Sequence, residues 1–344
     1  MNDDGEKMTV PPGRPAPTLE MVAALAGVSR STASRVVNSS PKVTAEAIES
    51  VTAAIATLGY VPNRAARTLA SRKTQSIALV IPENTAKFFA DPYFASVIQG
   101  VAMYLSKTEY TLTLLIASET DSEKTRRYLR NGNVDGALLL SHHSDDRSYV
   151  ELGRSLPMVF GGRPMFEGAT SYVVDVDNVA AAETAVQYLI DHGKKSIATI
   201  AGPQDMAAGL DRLKGWRRAL SAAGLEARLF EAADFTPAGG ALAMQRILDT
   251  GLPFDGLFAA SAQMASGALG VLRDHGLAVP GDLGITTIDN DYYAKNANPP
   301  LTTVDQPSTQ QGARMAEVLV RLINGERVDK LTIMPTHLIE RASV

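Results

Sequence analysis

Two arginines and several hydroxyl groups are concentrated between Thr18 and Asn38, in the segment TLEMVAALAGVSRSTASRVVN. The guanidinium groups of Arg30 and Arg35 can form paired hydrogen bonds with guanine, and the hydroxyl of Ser31 can bond to several bases. We therefore predict that these three side chains read base edges in the major groove of DNA. Neighbouring residues are predicted to hold backbone phosphates or to support that reading: Thr18, Leu19, Ser29, Thr32, Ser34, Asn38 and Lys42.

Two short helices joined by a glycine turn must position these side chains. Thr18 is a suitable N-cap for a first helix, whose apolar residues recur at helical spacing: Leu19, Val22, Ala23 and Ala26. Gly27 ends that helix, and Ser29 can cap a second helix with Ala33, Val36 and Val37 on one face. This pattern is typical of a DNA-binding helix-turn-helix, although similar helix pairs also occur in ordinary protein cores.

The segments around this helix pair complete a small N-terminal domain. Thr44 is predicted to cap a third helix from residue 45 to 58, with Gly59 at its end and with inward-facing Ala47, Ile48, Val51, Ile55 and Leu58. The segment RAARTLASRK after Asn63 has too few apolar residues to bury a face, so it is either a flexible basic linker or a helix that orders on DNA. We assign residues 1–16 to a disordered tail, 17–61 to the DNA-binding domain and 62–75 to the linker.

Composition restricts the class of protein. A chain of 344 residues, 45% hydrophobic and 20% charged, is typical of a soluble protein with two or three domains. It has no cysteine and its five histidines are scattered, so neither a disulfide nor a metal site is expected. The N-terminal segment lacks the basic start and apolar run of a signal peptide, and no apolar stretch is long enough to cross a bilayer. We expect a cytoplasmic protein without a membrane partner.

Charge is distributed unevenly along the chain. The net charge is −4, yet residues 14–73 contain eight lysines and arginines against three acidic residues, a balance of +5. The remainder of the chain must then carry −9. Such asymmetry is expected where one small domain meets phosphates and a larger acidic domain has another task.

From Ser76 onwards the chain alternates between buried strands and helices. Strands are predicted in two sets: Ile77–Ile81, Thr111–Ala117, Gly136–Leu140, Met158–Phe160 and Tyr172–Val174, then Ile197–Ala201, Leu229–Glu231, Leu257–Ala260 and Ile285–Asp289. Helices are predicted between them, at about 94–107, 121–131, 147–154, 178–192, 208–223, 238–250 and 263–275. This alternation indicates parallel sheets with helices on both faces, and two sets indicate two lobes.

Ligands of open parallel sheets lie at the carboxyl ends of the strands, which identifies a first group of cleft candidates. An aromatic loop after the first strand offers Phe89 and Tyr93 for stacking on a sugar and Asp91 for accepting hydroxyls. Ser141 and Arg163 follow the third and fourth strands, and His142 is more typical of a surface residue. In the second lobe, the guanidinium of Arg212 can bridge two neighbouring sugar hydroxyls, and Trp216 one turn later is expected to pack between helix and sheet.

The helix-turn-helix segment, together with PNRAARTLAS and AGPQDMAAG, resembles the lactose-repressor-like regulators, and the resemblance runs from about Thr18 to the C-terminus. It implies an all-α helix-turn-helix domain and a hinge helix, followed by a two-lobed α/β core of the type I periplasmic-binding-protein fold. With three crossovers, lobe 1 would comprise about 76–175 and 308–335, and lobe 2 about 176–307 and 336–344. It also implies a hinge in which Leu69 wedges between base pairs, with Asn63, Ala66 and Arg67 in support.

The same resemblance implies roles for cleft residues. Arg212 matches the effector-binding arginine and Phe235 matches an aromatic residue that stacks on the effector, while Asp289 and Gln306 match polar residues of the cleft. One position departs from the pattern, because Ser261 is followed by Ala262 where relatives usually carry aspartate. The missing carboxylate implies either a different effector or weaker binding.

The resemblance predicts a repressor that binds a near-palindromic operator as a homodimer, because the chain ends at Val344 without the leucine heptads that tetramerise some relatives. Its motifs are most similar to those of actinobacterial cellobiose-responsive repressors, which makes a disaccharide the expected effector. Alternatives are a sugar-binding transport component without a DNA role and a regulator that responds to another ligand. An enzyme is not expected, since the sequence has no glycine-rich phosphate loop and no paired nucleophile and base.

Overall fold

The computed structural model describes residues 17–37, 40, 42–61, 73–116, 122–141, 143, 148–165 and 171–344. It divides into two compact units, Met1–Thr74 and Gln75–Val344. Among the described helices, none combines the length and apolar character needed to cross a membrane. The described residues also contain no group of three or more histidine, aspartate or glutamate side chains suited to a metal ion.

The described part of the first unit contains three helices: α1 (Leu19–Leu25), α2 (Arg30–Val37) and α3 (Ala45–Leu58). The predicted caps are confirmed, since the side chains of Thr18, Ser29 and Thr44 accept hydrogen bonds from backbone N–H groups three residues later. Gly27 and Gly59 both adopt positive φ, at 66° and 61°, which glycine tolerates without strain.

A small apolar core holds the three helices together. It consists of Val22, Ala23, Ala33, Val51 and Ala54, and other apolar side chains of the three helices pack around it. Ile48 was predicted to face this core but is 46% exposed. The side chains of α3 that face the core at helical spacing are Val51, Ala54 and Ile55. Ile48 lies outside this buried stripe.

The second unit is built from two six-stranded sheets. Its strands are β1 (Ser76–Ile81), β2 (Thr111–Ile116), β3 (Gly136–Leu140), β4 (Met158–Gly161), β5 (Tyr172–Val176), β6 (Ile197–Ala201), β7 (Phe230–Ala232), β8 (Gly256–Ala259), β9 (Gly284–Ile288), β10 (Thr302–Asp305), β11 (Leu331–Met334) and β12 (His337–Ile339). The first sheet has the order β11-β5-β4-β3-β1-β2 and is parallel throughout. The second has the order β12-β10-β9-β8-β6-β7, and there only β12 is antiparallel to its neighbour.

Helices cover both sheets. They are α4 (Thr85–Ala90), α5 (Pro92–Leu105), α6 (Ser122–Arg130), α7 (Ser148–Leu152), α8 (Asn178–Asp191), α9 (Ala207–Ala222), α10 (Pro237–Asp249), α11 (Ala262–Asp274), α12 (Tyr292–Asn296) and α13 (Ser308–Ile323). In β1, Ile77, Leu79 and Ile81 enter one apolar cluster, whereas Ala78 and Val80 enter another. The first sheet is thus buried on both faces, as its continuous apolar strands predicted.

The chain passes between the sheets three times. It leaves the first sheet after β5, returns after β10 with α13 packed against α5 and β4, and crosses again between β11 and β12. The expected two-lobed fold is therefore confirmed. The sequence did not predict α4, α12, α13, β11 or β12, and the aromatic segment 83–94, predicted as a loop, is mostly helical.

The α5 and α13 helices approach each other closely. A Cβ atom added to Gly100 on α5 would lie 1.8 Å from the backbone oxygen of Thr309, so only glycine fits there. This contact places the first turn of α13 beside the middle of α5. Residues near the start of each helix, Tyr93 and Gln311 among them, line the cleft described below.

Candidate functional site

The exposed surface of α2 carries the three predicted base readers. Arg30, Ser31 and Arg35 are all exposed. The Nε atom of Arg30 donates to Oε1 of Glu20 on α1 at 2.6 Å. The hydroxyl of Ser31 lies 2.8 Å from that of Ser29, which also caps the helix. The N-terminal residues of α2 are thus held by neighbours in the same small unit.

The predicted support residues divide into described and undescribed ones. Thr18 caps α1, Leu19 packs against the core of the unit, and the hydroxyl of Thr32 lies 2.9 Å from that of Ser29. Ser34 is half-buried and Lys42 is exposed. The predictions for Asn38, Asn63, Ala66, Arg67 and Leu69 lie outside the described residues.

A polar cleft lies between the carboxyl ends of the two sheets and encloses about 840 Å³, counting the open space at its mouth. Nine of the ten predicted ligand residues line it: Asp91, Tyr93, Ser141, Arg163, Arg212, Phe235, Ser261, Asp289 and Gln306. They come from loops and helix starts of both lobes. The strand-end rule therefore brings together residues that are far apart in the sequence.

Phe89 was predicted to belong to this cleft, but it is 75% exposed and is not among the lining residues. It lies on the outer face of α4, where its ring packs edge-on against the buried Phe88. Phe94, near the start of α5, is buried and also contributes to the cleft wall. The helical conformation of α4 explains the difference, because it turns successive side chains to different sides.

Arg212 on α9 is the cation at the centre of the cleft, and it is only 4% exposed. Its Nε donates to Oδ1 of Asn178 at 2.9 Å, and its two terminal nitrogens donate to the backbone oxygen of Ala260 at 2.6 Å and to Oε1 of Gln306 at 3.3 Å. Its guanidinium carbon lies 5.6 Å from the centre of the Phe235 ring. A buried cation held by this many acceptors has a fixed orientation, which suits it to bind a ligand of fixed shape.

Trp216, one turn along α9, is fully buried in the core of the second lobe, and its ring nitrogen donates to the backbone oxygen of Ile197 at 3.1 Å. The prediction that it packs between helix and sheet is confirmed. Because it anchors α9 to β6, it helps to fix the position of Arg212.

Backbone strain is concentrated at the cleft. Ser141, Phe235 and Asp289 have φ values of 54°, 65° and 85°, in the left-handed region that non-glycine residues seldom adopt. All three line the cleft. Strained residues of this kind persist where the surrounding structure fixes them, and they cluster at binding sites.

Burial is the largest influence on the pKa values of two carboxyl groups in the cleft, Asp91 and Asp289. Burial raises the pKa of Asp91 to about 7, assisted by the negative charges of Asp289 and Asp291 and opposed by the N–H of Tyr93. Burial also raises the pKa of Asp289, against the attraction of Arg212 and a hydrogen bond from the side-chain amide of Gln306. Such groups can accept hydrogen bonds when ionised and donate them when protonated. The cleft is thus suited to a neutral ligand with many hydroxyl groups.

The sequence reading missed an ionic cluster beside Ser141. Its centre is Glu83, which is 2% exposed and accepts from the Ser141 hydroxyl, from Nζ of Lys87 at 3.1 Å and from Nε2 of His143 at 3.1 Å. Although burial opposes it, the bond from His143 and the charge of Lys87 lower the pKa of Glu83 to about 2. The bond to Glu83 raises the pKa of His143 to about 9, assisted by Asp205.

Two ion pairs connect the lobes at the cleft. His143 of the first lobe lies 2.7 Å from Oδ2 of Asp205, and Arg163 of the first lobe lies 2.8 Å from Oδ2 of Asp211 on α9. Arg163, predicted as a ligand group, lines the cleft, and its half-exposed guanidinium pairs with Asp211. The described conformation therefore has its lobes joined by charge pairs.

Several amide side chains of the cleft were also missed. Asn178, Gln263 and Gln311 are all buried and line it. Gln263 bonds to Asp91 of the other lobe, and it follows the fully buried Ala262, the position of the expected aspartate. The strand-end rule could have identified Asn178, which lies two residues after β5, and Gln263, which lies four residues after β8. Gln311 lies inside a helix, where the strand-end rule does not apply.

A three-helix unit with exposed arginines on its second helix, followed by a two-lobed core with a buried polar cleft, defines a helix-turn-helix regulator with a ligand-binding core. Comparisons with known proteins agree. Residues 18–63 match the model of bacterial regulatory proteins of the lacI family, and residues 186–344 match a periplasmic binding protein-like domain. The chain is 46% identical to the HTH-type transcriptional regulator CelR of Thermobifida fusca, over 96% of this chain and 99% of the relative.

The structural comparisons point to the same group. A solved complex of the transcriptional regulator CelR with cellobiose is 43% identical, with a TM-score of 0.76 over 95% of this chain and 100% of that one. A solved lac repressor dimer bound to operator and the anti-inducer ONPF shares the fold, with 24% identity and a TM-score of 0.83 over 95% of this chain and 98% of that one. The chain therefore belongs to the lacI family of bacterial transcriptional regulators, and the expected resemblance is confirmed.

Proposed function

We propose that this regulator is a dimeric repressor of carbohydrate-utilisation genes whose affinity for a near-palindromic operator is controlled by a disaccharide, cellobiose. Residues 17–61 would read the operator, with Arg30, Ser31 and Arg35 at base edges, and residues 62–75 would act as the hinge. A near-palindromic operator requires two reading helices, which a homodimer supplies. Acting on chromosomal DNA, the protein would function in the cytoplasm, as a regulator and without catalysis.

The buried guanidinium of Arg212 is the observation that carries this proposal. It lies in a cleft that also offers carboxyl, amide and hydroxyl groups and the ring of Phe235. A sugar presents hydroxyl pairs to a planar fork and a flat apolar face to a ring. The similarity to a regulator solved with cellobiose supports the choice of disaccharide.

Effector control would act through the cleft between the lobes. A ligand that contacts both lobes changes the free energy of their relative arrangement, and it can shift operator affinity only by as much as it prefers one arrangement. The coupling must be reciprocal, so operator DNA must change the affinity for the effector by the same factor. The cross-lobe pairs at Arg163 and His143 are groups whose contacts such a shift would alter.

A thermal-shift screen against mono- and disaccharides tests the effector, because a ligand that binds only the folded state raises the melting temperature. Cellobiose is expected to raise it, and maltose, which has the same units in another linkage, serves as a control. In Arg212→Ala we expect effector affinity to fall by about a hundredfold or more, since a buried hydrogen-bonded cation is lost. Selection of duplexes from a randomised pool should show that this variant still binds the same operator.

A cellobiose shift that persists in Arg212→Ala would remove Arg212 from the site. An absence of shifts with every sugar would contradict the sugar effector and leave the DNA-binding role intact. The two halves of the proposal are therefore tested separately.

A further inference from the structure

The second helix of the DNA-binding unit begins with a positive charge in an unfavourable place. Arg30 is the first residue of α2, and the first turn of this helix contains no acidic residue. The N-terminus of a helix carries a partial positive charge, so a cation is disfavoured there and an anion is favoured. Arg35 in the last turn of the same helix has the favourable arrangement.

Glu20 on α1 compensates for this placement. Its Oε1 accepts from Nε of Arg30 at 2.6 Å, and its carboxylate is itself hydrogen-bonded by the Thr18 side chain and by its own backbone N–H. The side chains of Arg30 and Glu20 are 72% and 59% exposed. Water screens an ion pair this exposed, so it stabilises the fold little. The contact is therefore better explained by its effect on the orientation of Arg30 than by any stabilisation of the packing of α1 against α2.

The bond engages Nε, so the guanidinium can still offer its two terminal nitrogens to a base. Those nitrogens form the fork that pairs with O6 and N7 of guanine. A long side chain that is already held loses less conformational freedom on binding than a free one. Glu20 also places a negative charge near the phosphates, which weakens binding to every sequence alike.

We propose that Glu20 is a positioning residue that increases sequence discrimination by fixing Arg30 before DNA binds. The inference rests on the proposed reading role of Arg30. It goes beyond that role because Glu20 itself need not touch DNA. Orientation of Arg30 raises the ratio of specific to non-specific affinity, whereas repulsion of the phosphates lowers both affinities alike and leaves that ratio unchanged.

The test uses the full-length protein and duplexes selected from a randomised pool, followed by binding titrations with single-base changes in the selected operator. Arg30→Ala identifies the base that Arg30 reads, with an expected loss of discrimination of about fivefold or more at that position. Glu20→Ala should lose about threefold or more at the same position and leave the position read by Arg35 unchanged. Glu20→Gln keeps an acceptor for Nε and should recover much of the loss. Glu49→Ala removes another exposed carboxylate from the same unit and should leave discrimination at every position unchanged.

Each other outcome overturns the proposal in a recognisable way. If Arg30→Ala leaves discrimination unchanged at every position, both the reading role and the positioning role fail. If Arg30→Ala has its effect but Glu20→Ala does not, the positioning role alone fails. Equal losses at all positions would make Glu20 a structural residue, and tighter operator binding with unchanged discrimination would make it a competitor of DNA.

Discussion

Arginines carry the proposed chemistry in both units, but in opposite surroundings. Arg30 is 72% exposed at the side chain, and its partner Glu20 lies 10 residues away on the adjacent helix. Arg212 is 4% exposed, and its partners lie 34, 48 and 94 residues away in the sequence. The first group is organised by local structure, and the second exists only when distant segments pack together.

This difference has a consequence for the role of each unit. A small helical unit with exposed polar groups can bind the charged surface of DNA with little rearrangement. A cleft whose walls come from two lobes depends on their relative position, and a ligand there can influence that position.

Removal of residues 1–74 has the largest expected effect. Because Gln75–Val344 forms a compact unit of its own, it should keep its affinity for cellobiose within about twofold and should lose operator binding entirely. Calorimetry with cellobiose and fluorescence anisotropy with the selected operator measure the two properties. Loss of both would show that cellobiose binding depends on the N-terminal unit, which would contradict the separate roles of the two units.

Asp91→Asn should show how much the buried, ionised carboxyl group of Asp91 lowers the free energy of unfolding. Asp91 has a pKa of about 7 in the folded state against an ordinary 3.8, so the folded protein holds this proton more tightly than the unfolded chain. Stability is therefore lost as the pH rises from about 4 to about 7, where the buried carboxyl ionises. Asparagine keeps the oxygen that caps α5 and removes the charge.

The expected gain for Asp91→Asn in the unliganded protein is ~2–4 kcal/mol at pH 8 and close to zero at pH 4. Denaturant unfolding at the two pH values measures it. Asp177→Asn, which changes the exposed aspartate that caps α8, is the matched control. A gain for Asp91→Asn that does not depend on pH would contradict the burial argument.

Arg163→Ala should have a small effect, in contrast to Arg212→Ala. Its guanidinium is half-exposed and already paired with Asp211, so its loss removes a screened ion pair. We expect effector affinity to change by no more than about threefold, measured by calorimetry with cellobiose. A loss as large as that expected for Arg212→Ala would make Arg163 a direct ligand and return it to the role predicted from the sequence.

Phe89→Ser is expected to have the smallest effect. The ring is 75% exposed and does not line the cleft, so both effector affinity and the free energy of unfolding should stay within about 0.5 kcal/mol of the natural protein. Tyr93→Ser, at a cleft residue on the adjacent helix α5, is the contrasting variant. A strong effect of Phe89→Ser on cellobiose binding would show that α4 moves towards the ligand.

The same contrast explains what could be predicted from the sequence. Caps at Thr18, Ser29 and Thr44 depend on residues three positions apart, so the helices of the first unit could be placed closely. Ile48 was misplaced because helical spacing alone does not decide which of several apolar stripes is buried. In the second unit, the carboxyl ends of the strands predicted the cleft and part of its wall, and the family resemblance added Phe235, Asp289 and Gln306.

The remaining cleft residues could not be predicted because their positions depend on tertiary packing. The hydroxyl of Tyr93 donates to the side-chain oxygen of Gln311, which lies 218 residues later in the sequence. The two side chains come together because α13 returns to the first lobe and packs against α5. Glu83 and His143 form their pair across 60 residues, and neither belongs to a recognisable motif. Spacing along the chain contains no information about such contacts.

Operator binding with and without cellobiose is the most direct test of whether a sugar in the cleft controls the DNA-binding unit. The affinity of the full-length protein for its selected operator should be measured by fluorescence anisotropy in saturating cellobiose, in saturating maltose and without sugar. We predict that cellobiose weakens operator binding by about tenfold or more and that maltose does not. Equal operator affinity under all three conditions would contradict control of the DNA-binding unit by a sugar in the cleft.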